Sequence, residues 1–535
     1  MDAVFFNGRV ISMNPAAPRF SALGVQGDLF QAVGSDEELR RLAGPDTRLV
    51  DLEGRTVIPG LIETHGHLSY YSLCLALEDA SPEENPRIED LKKRLARAAA
   101  ASGPGAWIGA WGYDDTRISD NRHLTRLDLD EAAPNNPVFV LHVSSHAGYT
   151  NSLALKMAGV GPETPDPAGG IIHRDENGLP SGLLLEPAAM ELVSRLRPVP
   201  DAAAFERLIP LAAAKCHREG ITSVHDAAVG AFGEGAKAVR AYQRLEAGNQ
   251  LRLRVYLTMV EQFYRPFLDQ GLFRGFGNKF LKLGAVKNFQ DGSIQALTGA
   301  LGEDYHNRPG YKGMFIMPQE ALDAFVERNH GEGLQIAIHA NGDGAIESVI
   351  QAFERAQAKH ARTDARHMII HCQMASEDHI SRMKALGIIP SFFVNHVYYW
   401  GDRHLNLFLG RTRAERIDPL GSAIRAGLPF TLHADVPVTP LSPIFSMHNA
   451  VNRMTRNGVQ LGRDQCITPY QALEAYTTNA AKCSFEEREK GRIEPGMLAD
   501  FVVLSEDILA TAPERIKDVK ALKTFVGGEL VYEAD

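Results

Sequence analysis

The chain has 535 residues, too many for one domain of roughly 100–200 residues, so it holds several packing units or one large barrel with additions. Hydrophobic residues make up 44% and charged residues 23%, ordinary globular values that exclude a disordered or fibrous chain. Lys plus Arg number 56 against 66 Asp plus Glu, a net charge of −10 that argues against a nucleic-acid or membrane partner and for a small-molecule ligand.

From the N-terminus, AVFFNGRVISM, SALGVQGDLFQAVG and TRLVDLEGRTVIPG read as β-strands joined at Asn-Gly, Gly-Asp and Glu-Gly turns. GRIEPGMLADFVVLSED and KALKTFVGGELVYEAD repeat the pattern at the other end, so residues 1–55 and 487–535 are expected to form one composite β-sandwich. Between them, apolar runs alternate with helical patterns. The expected strands are 56–65, 220–228, 253–260, 281–289, 334–340, 367–372, 387–396 and 428–435, the number that closes a TIM barrel. One connecting helix is well punctuated: in DAAAFERLIPLAAAKCHREG, Asp201 is the N-cap and Gly220 the stop. A βα crossover needs only about 30 residues, so residues 70–200 read as an insertion, a lid or substrate domain, leaving 56–69 and 201–486 for the barrel. Five scattered cysteines (Cys74, Cys216, Cys372, Cys466, Cys483) show no CxxC, and neither a signal peptide nor a long apolar run is apparent, so a cytoplasmic location is expected.

The chain contains 19 histidines, and their positions give some of them meaning. His65 and His67 in ETHGHL end the first strand, with i and i+2 on one side. His339 ends the fifth strand, His371 the sixth, and Asp435 the eighth. Residues at these ends converge on a barrel's mouth, and such a set suits a divalent ion such as zinc. Lys287 ends the fourth strand among apolar residues; a neutral lysine there can take up carbon dioxide to give a carbamate that bridges two metals.

The segments VIPGLIETHGHL, LHVSSHAGYTNSLAL, GITSVHDA, VKNFQDGSI, IHANGDGAIESVIQAFE, RHMIIHCQ, HADVPVTPLSP and GRIEPGMLADFVVL follow one another along the chain. Together they resemble the amidohydrolase superfamily, specifically its amidohydrolase 3 (YtcJ-like) branch of metal-dependent hydrolases. The resemblance implies an α/β fold: a distorted TIM (β/α)8 barrel with a composite β-sandwich from both termini and an inserted α+β lid domain. By matching positions it implies that His65 and His67 bind the buried metal and Lys287 bridges as a carbamate. His339 and His371 would bind the second metal, with Asp435 as ligand and general base. Two loops depart from the branch pattern: DGSIQALTGA lacks an arginine common there, and Gly344 replaces another.

The expected reaction is hydrolysis of a non-peptide amide bond in a small molecule, such as an N-substituted formamide, N-acyl compound or cyclic amide. Competing readings are a mononuclear deaminase, an ester or lactone hydrolase, and a catalytically silent metal-binding module. His146 matches a substrate-facing position of the branch. His396 and Trp400, in NHVYYWGDRH, either contact substrate or pack the rim, and Asp291 either contacts substrate or caps a turn. His433 lies two residues before Asp435 and is a further mouth residue. One or two zinc ions, a small-molecule substrate and a homodimer complete the expectation.

Overall fold

The computed structural model describes residues 1–167, 169–198, 200–231 and 235–534. It divides into two compact units, one of Met1–Leu68, Ile209–Val436 and Leu441–Asp535, the other of Ser69–Leu208 with Pro437–Pro440.

In the first unit both chain ends build two sheets. Ala3–Phe6 lies between Ala22–Gln26 and Arg48–Asp51, with Leu29–Gly34 outermost. The other sheet runs Glu529–Glu533, Ala521–Val526, Phe501–Leu504, Thr56–Pro59, Arg9–Ile11, Arg19–Phe20. Their apolar faces share one core, where Phe501 and Phe525 stack at 4.3 Å and Phe5 meets their edges at 5.0 and 5.2 Å. Alternation along each strand sends one apolar face inward, which is why short strands suffice.

The barrel sheet has eight parallel strands among the described residues: β1 (Leu61–Gly66), β2 (Ile221–Val229), β3 (Arg254–Val260), β4 (Leu281–Phe289), β5 (Ile336–Ala340), β6 (Met368–His371), β7 (Ile389–Phe392) and β8 (Thr431–Leu432), paired in sequence order. Side chains join its two ends: Thr64 donates from β1 to Thr431 Oγ1 at 2.9 Å and lies 3.2 Å from Ser391 Oγ. The helix before β2, α1 (Ala202–Arg218), starts where Asp201 accepts Ala204 N–H at 2.8 Å and stops before Gly220 at φ +77°, as the sequence pattern requires.

Three expected strands differ from those observed. The run 56–65 is two strands: Thr56–Pro59 pairs with Phe501–Leu504 in the terminal sheet, and β1 begins after Gly60. At the corner Gly60 donates to Asp500 O, Leu61 donates to Gly220 O, and a Cβ on Gly60 would sit 2.2 Å from Thr222 Oγ1. Uniform hydrophobicity conceals such a change of partner. β7 ends at Phe392, and His396 belongs to a helix, Asn395–Arg403. β8 keeps two residues, because the chain turns sharply where Asp435 adopts φ +54°.

The second unit has a mixed sheet in the order Ile171–Arg174, Pro180–Leu185, Ala147–Thr150, Val138–His142, Ile108–Tyr113, Glu78–Asp79. Helices Ile88–Ser102 and Arg126–Ala132 bury their apolar stripes in its core with Tyr113 and Tyr149. No helix among the described residues is long and apolar enough to cross a membrane.

Candidate metal centre

The carboxyl ends of the barrel strands gather His65, His67, Lys287, His339, His371 and Asp435, none more than 8% exposed. Parallel pairing produces this convergence, since it aligns all strand ends on one side. His371 and Asp435 have φ of +68° and +54°, a left-handed conformation that costs non-glycine residues energy and is retained where packing fixes it.

Asp435 belongs to two donor groups. Its Oδ1 is 3.6 Å from His65 Nε2 and 3.2 Å from His67 Nε2; in the other group, His371 and His433 supply ligand atoms within 4.8 Å of one another and of an Asp435 oxygen. His67 Nδ1 is 2.8 Å from Ala227 O; that carbonyl only accepts, so Nδ1 carries a proton and the ring is held with Nε2 towards Asp435. His339 Nδ1 is 3.0 Å from His371 Nε2, and His371 Nδ1 is 3.2 Å from His433 Nε2. His433 therefore joins the second group directly, and His339 adjoins it through His371.

Burial, then the nearby Lys287 and His67, holds the His65 pKa well below the usual imidazole value; burial with His339 and His433 does the same for His371. Burial pushes the Asp435 carboxyl upward, but its hydrogen bond with His67 and the charges of His67 and His433 outweigh it, leaving the pKa below the ordinary value. The shifts thus favour neutral His65 and His371 and an ionised Asp435, the protonation states of metal ligands. Lys287 Nζ is buried with no hydrogen-bond partner, 4.8 Å from the Phe289 ring centre, and burial lowers its pKa to about 7. An isolated buried ammonium is costly; a neutral amine, or a carbamate shared with a cation, fits the place. The donors fit a divalent ion on these grounds.

Glu63 fixes the two sides to each other. Its Oε1 accepts the His65 N–H at 3.2 Å and its Oε2 accepts the Ala434 N–H at 3.1 Å, so one buried carboxyl ties the backbones beside His65 and Asp435. The sequence signal was the acid two residues before His65, which drew no attention beside two histidines.

The remaining expected site residues are distributed as follows. Asp291 is fully buried and accepts N–H groups from Ala300, Asn341 and Gly342 at 2.9, 2.9 and 2.8 Å, capping the loop ahead of Asp343–Lys359. The two departing loops meet there: a Cβ on Gly342 would lie 1.9 Å, and one on Gly344 3.0 Å, from Ala300 O, so the loop backbone fills the space a side chain at either position needs. His396 is buried 6.1 Å from the His371 ring, and Trp400, 3% exposed, lies 5.9 Å from His396. His146 belongs to the second unit, its Nδ1 2.7 Å from Glu186 Oε2. His225 packs against Tyr256 at 4.7 Å, the rings tilted by 40°, inside the first unit. A further group in the second unit, Asp114, Asp115 and His142, also has ligand atoms within 4.8 Å. There Ser144 N–H donates to His142 Nδ1, so the ring proton is on Nε2, 3.1 Å from Asp115 Oδ1.

A model of the amidohydrolase family matches residues 48–532. The chain belongs to the amidohydrolase family. It is 28% identical over its whole length to the whole of YtcJ from Bacillus subtilis (strain 168), which is named as an amidohydrolase. It is also 30% identical to the N-substituted formamide deformylase of Arthrobacter pascens, over 99% of this chain and 98% of that one. Among solved structures, a metal-dependent hydrolase of Pyrococcus horikoshii OT3 superposes with a TM-score of 0.77 at 26% identity, covering 96% of this chain and 99% of that one. The protein is a metal-dependent amidohydrolase with the distorted TIM barrel of that family.

Proposed function

We propose that this amidohydrolase cleaves a non-peptide amide bond of a small molecule, with N-substituted formamides the first class to examine. The carrying observation is the position of Asp435, whose Oδ1 is 3.6 and 3.2 Å from His65 and His67 and which also shares a group with His371 and His433. Similarity to the formamide deformylase supports the choice of substrate class. In this reading His65, His67 and Asp435 would hold one divalent ion, zinc being the first choice. His339 and His371, with His433 beside them, would hold a second, and Lys287, as a carbamate, would add a further carboxylate ligand. When bound, such ions supply an acidified water at neutral pH and a Lewis acid for the carbonyl.

The chain's own groups account for the proton path. Asp435 takes the proton of the attacking water at a carboxylate oxygen as the water oxygen bonds to the carbonyl carbon. It then passes that proton to the departing nitrogen as the C–N bond breaks, releasing an amine and a carboxylate. His67, oriented through Ala227 O, and Glu63, bridging the two strand ends, keep the carboxylate in place. His396 and Trp400 are the proposed substrate contacts of this unit, and Asp291 acts by shaping its loop. The five free cysteines, four of them buried, support a reducing, cytoplasmic location.

The test is metal-reconstituted protein assayed on N-formyl, N-acyl, lactam and ester substrates, with metal content measured in parallel. Metal-dependent amide turnover is expected, with Asp435→Asn losing about a thousandfold or more in kcat while retaining most of its metal. Fully loaded protein inert towards every amide would overturn the reading. Labelled bicarbonate should give a carbamate carbonyl signal in nuclear magnetic resonance that Lys287→Met abolishes; an unmodified amine with both ions bound would remove that ligand.

A further inference from the structure

The helix after β7, α2 (Asn395–Arg403), delivers His396 to the ligand cluster. The ring packs on Phe393 at 4.5 Å, and its Nδ1 lies 3.4 Å from Asp418 Oδ1. Both residues are buried, 2% and 0% exposed. Asp418 is held by its backbone: its N–H donates to Gln373 O at 2.7 Å, and its carbonyl accepts from Arg453 Nη1 at 3.0 Å. Arg453 is itself fully buried and donates further to Ile417 O and Leu461 O. A buried arginine satisfied by three carbonyls is a rigid mount; burial raises the Asp418 pKa, against which His396 and then the Arg453 charge act.

When the pair's shared proton sits on the imidazole it is on Nδ1, facing Asp418, and the lone pair is on Nε2, across the ring. The mount fixes this ring 6.1 Å from that of His371. We propose that His396, held by Asp418, is a specificity-determining residue whose Nε2 accepts the N–H of a secondary amide, selecting such amides over N,N-disubstituted amides and esters. The inference rests on the amide-hydrolase reading and narrows its substrate class. An ester or tertiary amide offers no hydrogen at that point and leaves a buried acceptor unpaired, the kind of mismatch that discriminates more strongly than a lost apolar contact.

The experiment compares metal-loaded wild type, His396→Gln and His396→Phe on three substrates sharing one acyl group: a secondary amide, its N-methyl counterpart and the matching ester. Wild type should favour the secondary amide over the N-methyl compound by about tenfold or more in kcat/KM. His396→Phe should raise KM for the secondary amide and bring that ratio near one. His396→Gln, whose side-chain oxygen can replace the acceptor, should keep part of the preference. Binding of a hydrolysis-resistant N–H sulfonamide and its N-methyl form, followed by calorimetry, gives a readout independent of turnover. Circular dichroism and metal content show whether each variant is folded and loaded. An unchanged preference in His396→Phe overturns the role of His396 and leaves amide hydrolysis standing. If no amide is turned over, the hydrolase reading fails, and the sulfonamide pair still decides: equal binding of both forms to wild type overturns the acceptor.

Discussion

Replacing Glu63 by Gln keeps its shape but turns one of two acceptors into a donor facing a backbone N–H, either that of His65 or that of Ala434. The expected result is a loosened link between the two sides of the metal centre and an affinity for zinc about 10–100-fold weaker, measured by competition with a chromogenic chelator. Unchanged affinity would show that the strand ends hold the ligands without Glu63. At this scale the sequence was most informative where side-chain chemistry is distinctive: His65, His67, Lys287, His339, His371 and Asp435 all reach the same strand ends. It was least informative for Glu63, Asp418 and Arg453, whose roles consist of hydrogen bonds to backbone groups far away in the chain. His433 was legible only through its spacing from Asp435, although its ring lies 5.1 Å from those of both His65 and His371.

Between elements, the buried pair Arg254–Asp500 joins β3 to the terminal sheet, with Nε and Nη2 donating to the two carboxylate oxygens at 2.6 and 2.8 Å. Asp500→Ala leaves an uncompensated buried guanidinium, so a loss of about 3–5 kcal/mol is expected in denaturant unfolding; a loss below about 1 kcal/mol would mean that the arginine finds other partners or water. Asp500 also accepts the Gly527 N–H at 2.8 Å, so the damage should spread along the edge of that sheet. Elements were legible where their boundaries carry local signals, as Asp201 and Gly220 do around α1. They were misread where one apolar run serves two sheets, at Gly60, and where a strand gives way to a helix, before His396.

For the whole molecule, acid lability follows from the barrel interior. Glu486 is buried against Lys490 and Lys282 at 2.7 and 2.9 Å. Burial raises its pKa, but the two ammonium groups prevail and hold it at about 2, below the ordinary 4.5. A depressed carboxylate pKa contributes stability that is present above the unfolded value and lost as pH falls through the folded one. His225 acts in the same direction: burial and Lys490 lower its pKa from 6.5 to about 3, so the unfolded chain takes up that proton first. Stability should therefore decline from about pH 6.5 downward and steepen between about pH 4.5 and 2, as read by urea midpoints. Glu486→Gln should flatten the steeper part, and a profile unchanged by that variant would place the acid sensitivity elsewhere. Metal removal is expected to act on the same quantity: dialysis against a chelator should lower Tm and abolish turnover, with both restored by zinc. A Tm indifferent to chelation would show that the histidine cluster is rigid without an ion.

Sequence alone determined the barrel and the family and pointed to the residues at the strand ends, because parallel βα repetition leaves a periodic trace and imidazole, amine and carboxylate groups declare their chemistry wherever they stand. Only the tertiary structure decided that the strand expected across 56–65 serves two sheets, that His433 stands with His371 and Asp435, and that Asp418 and Arg453 fix His396. Those facts are contacts between residues remote in sequence, set by how elements pack, and no local pattern encodes them.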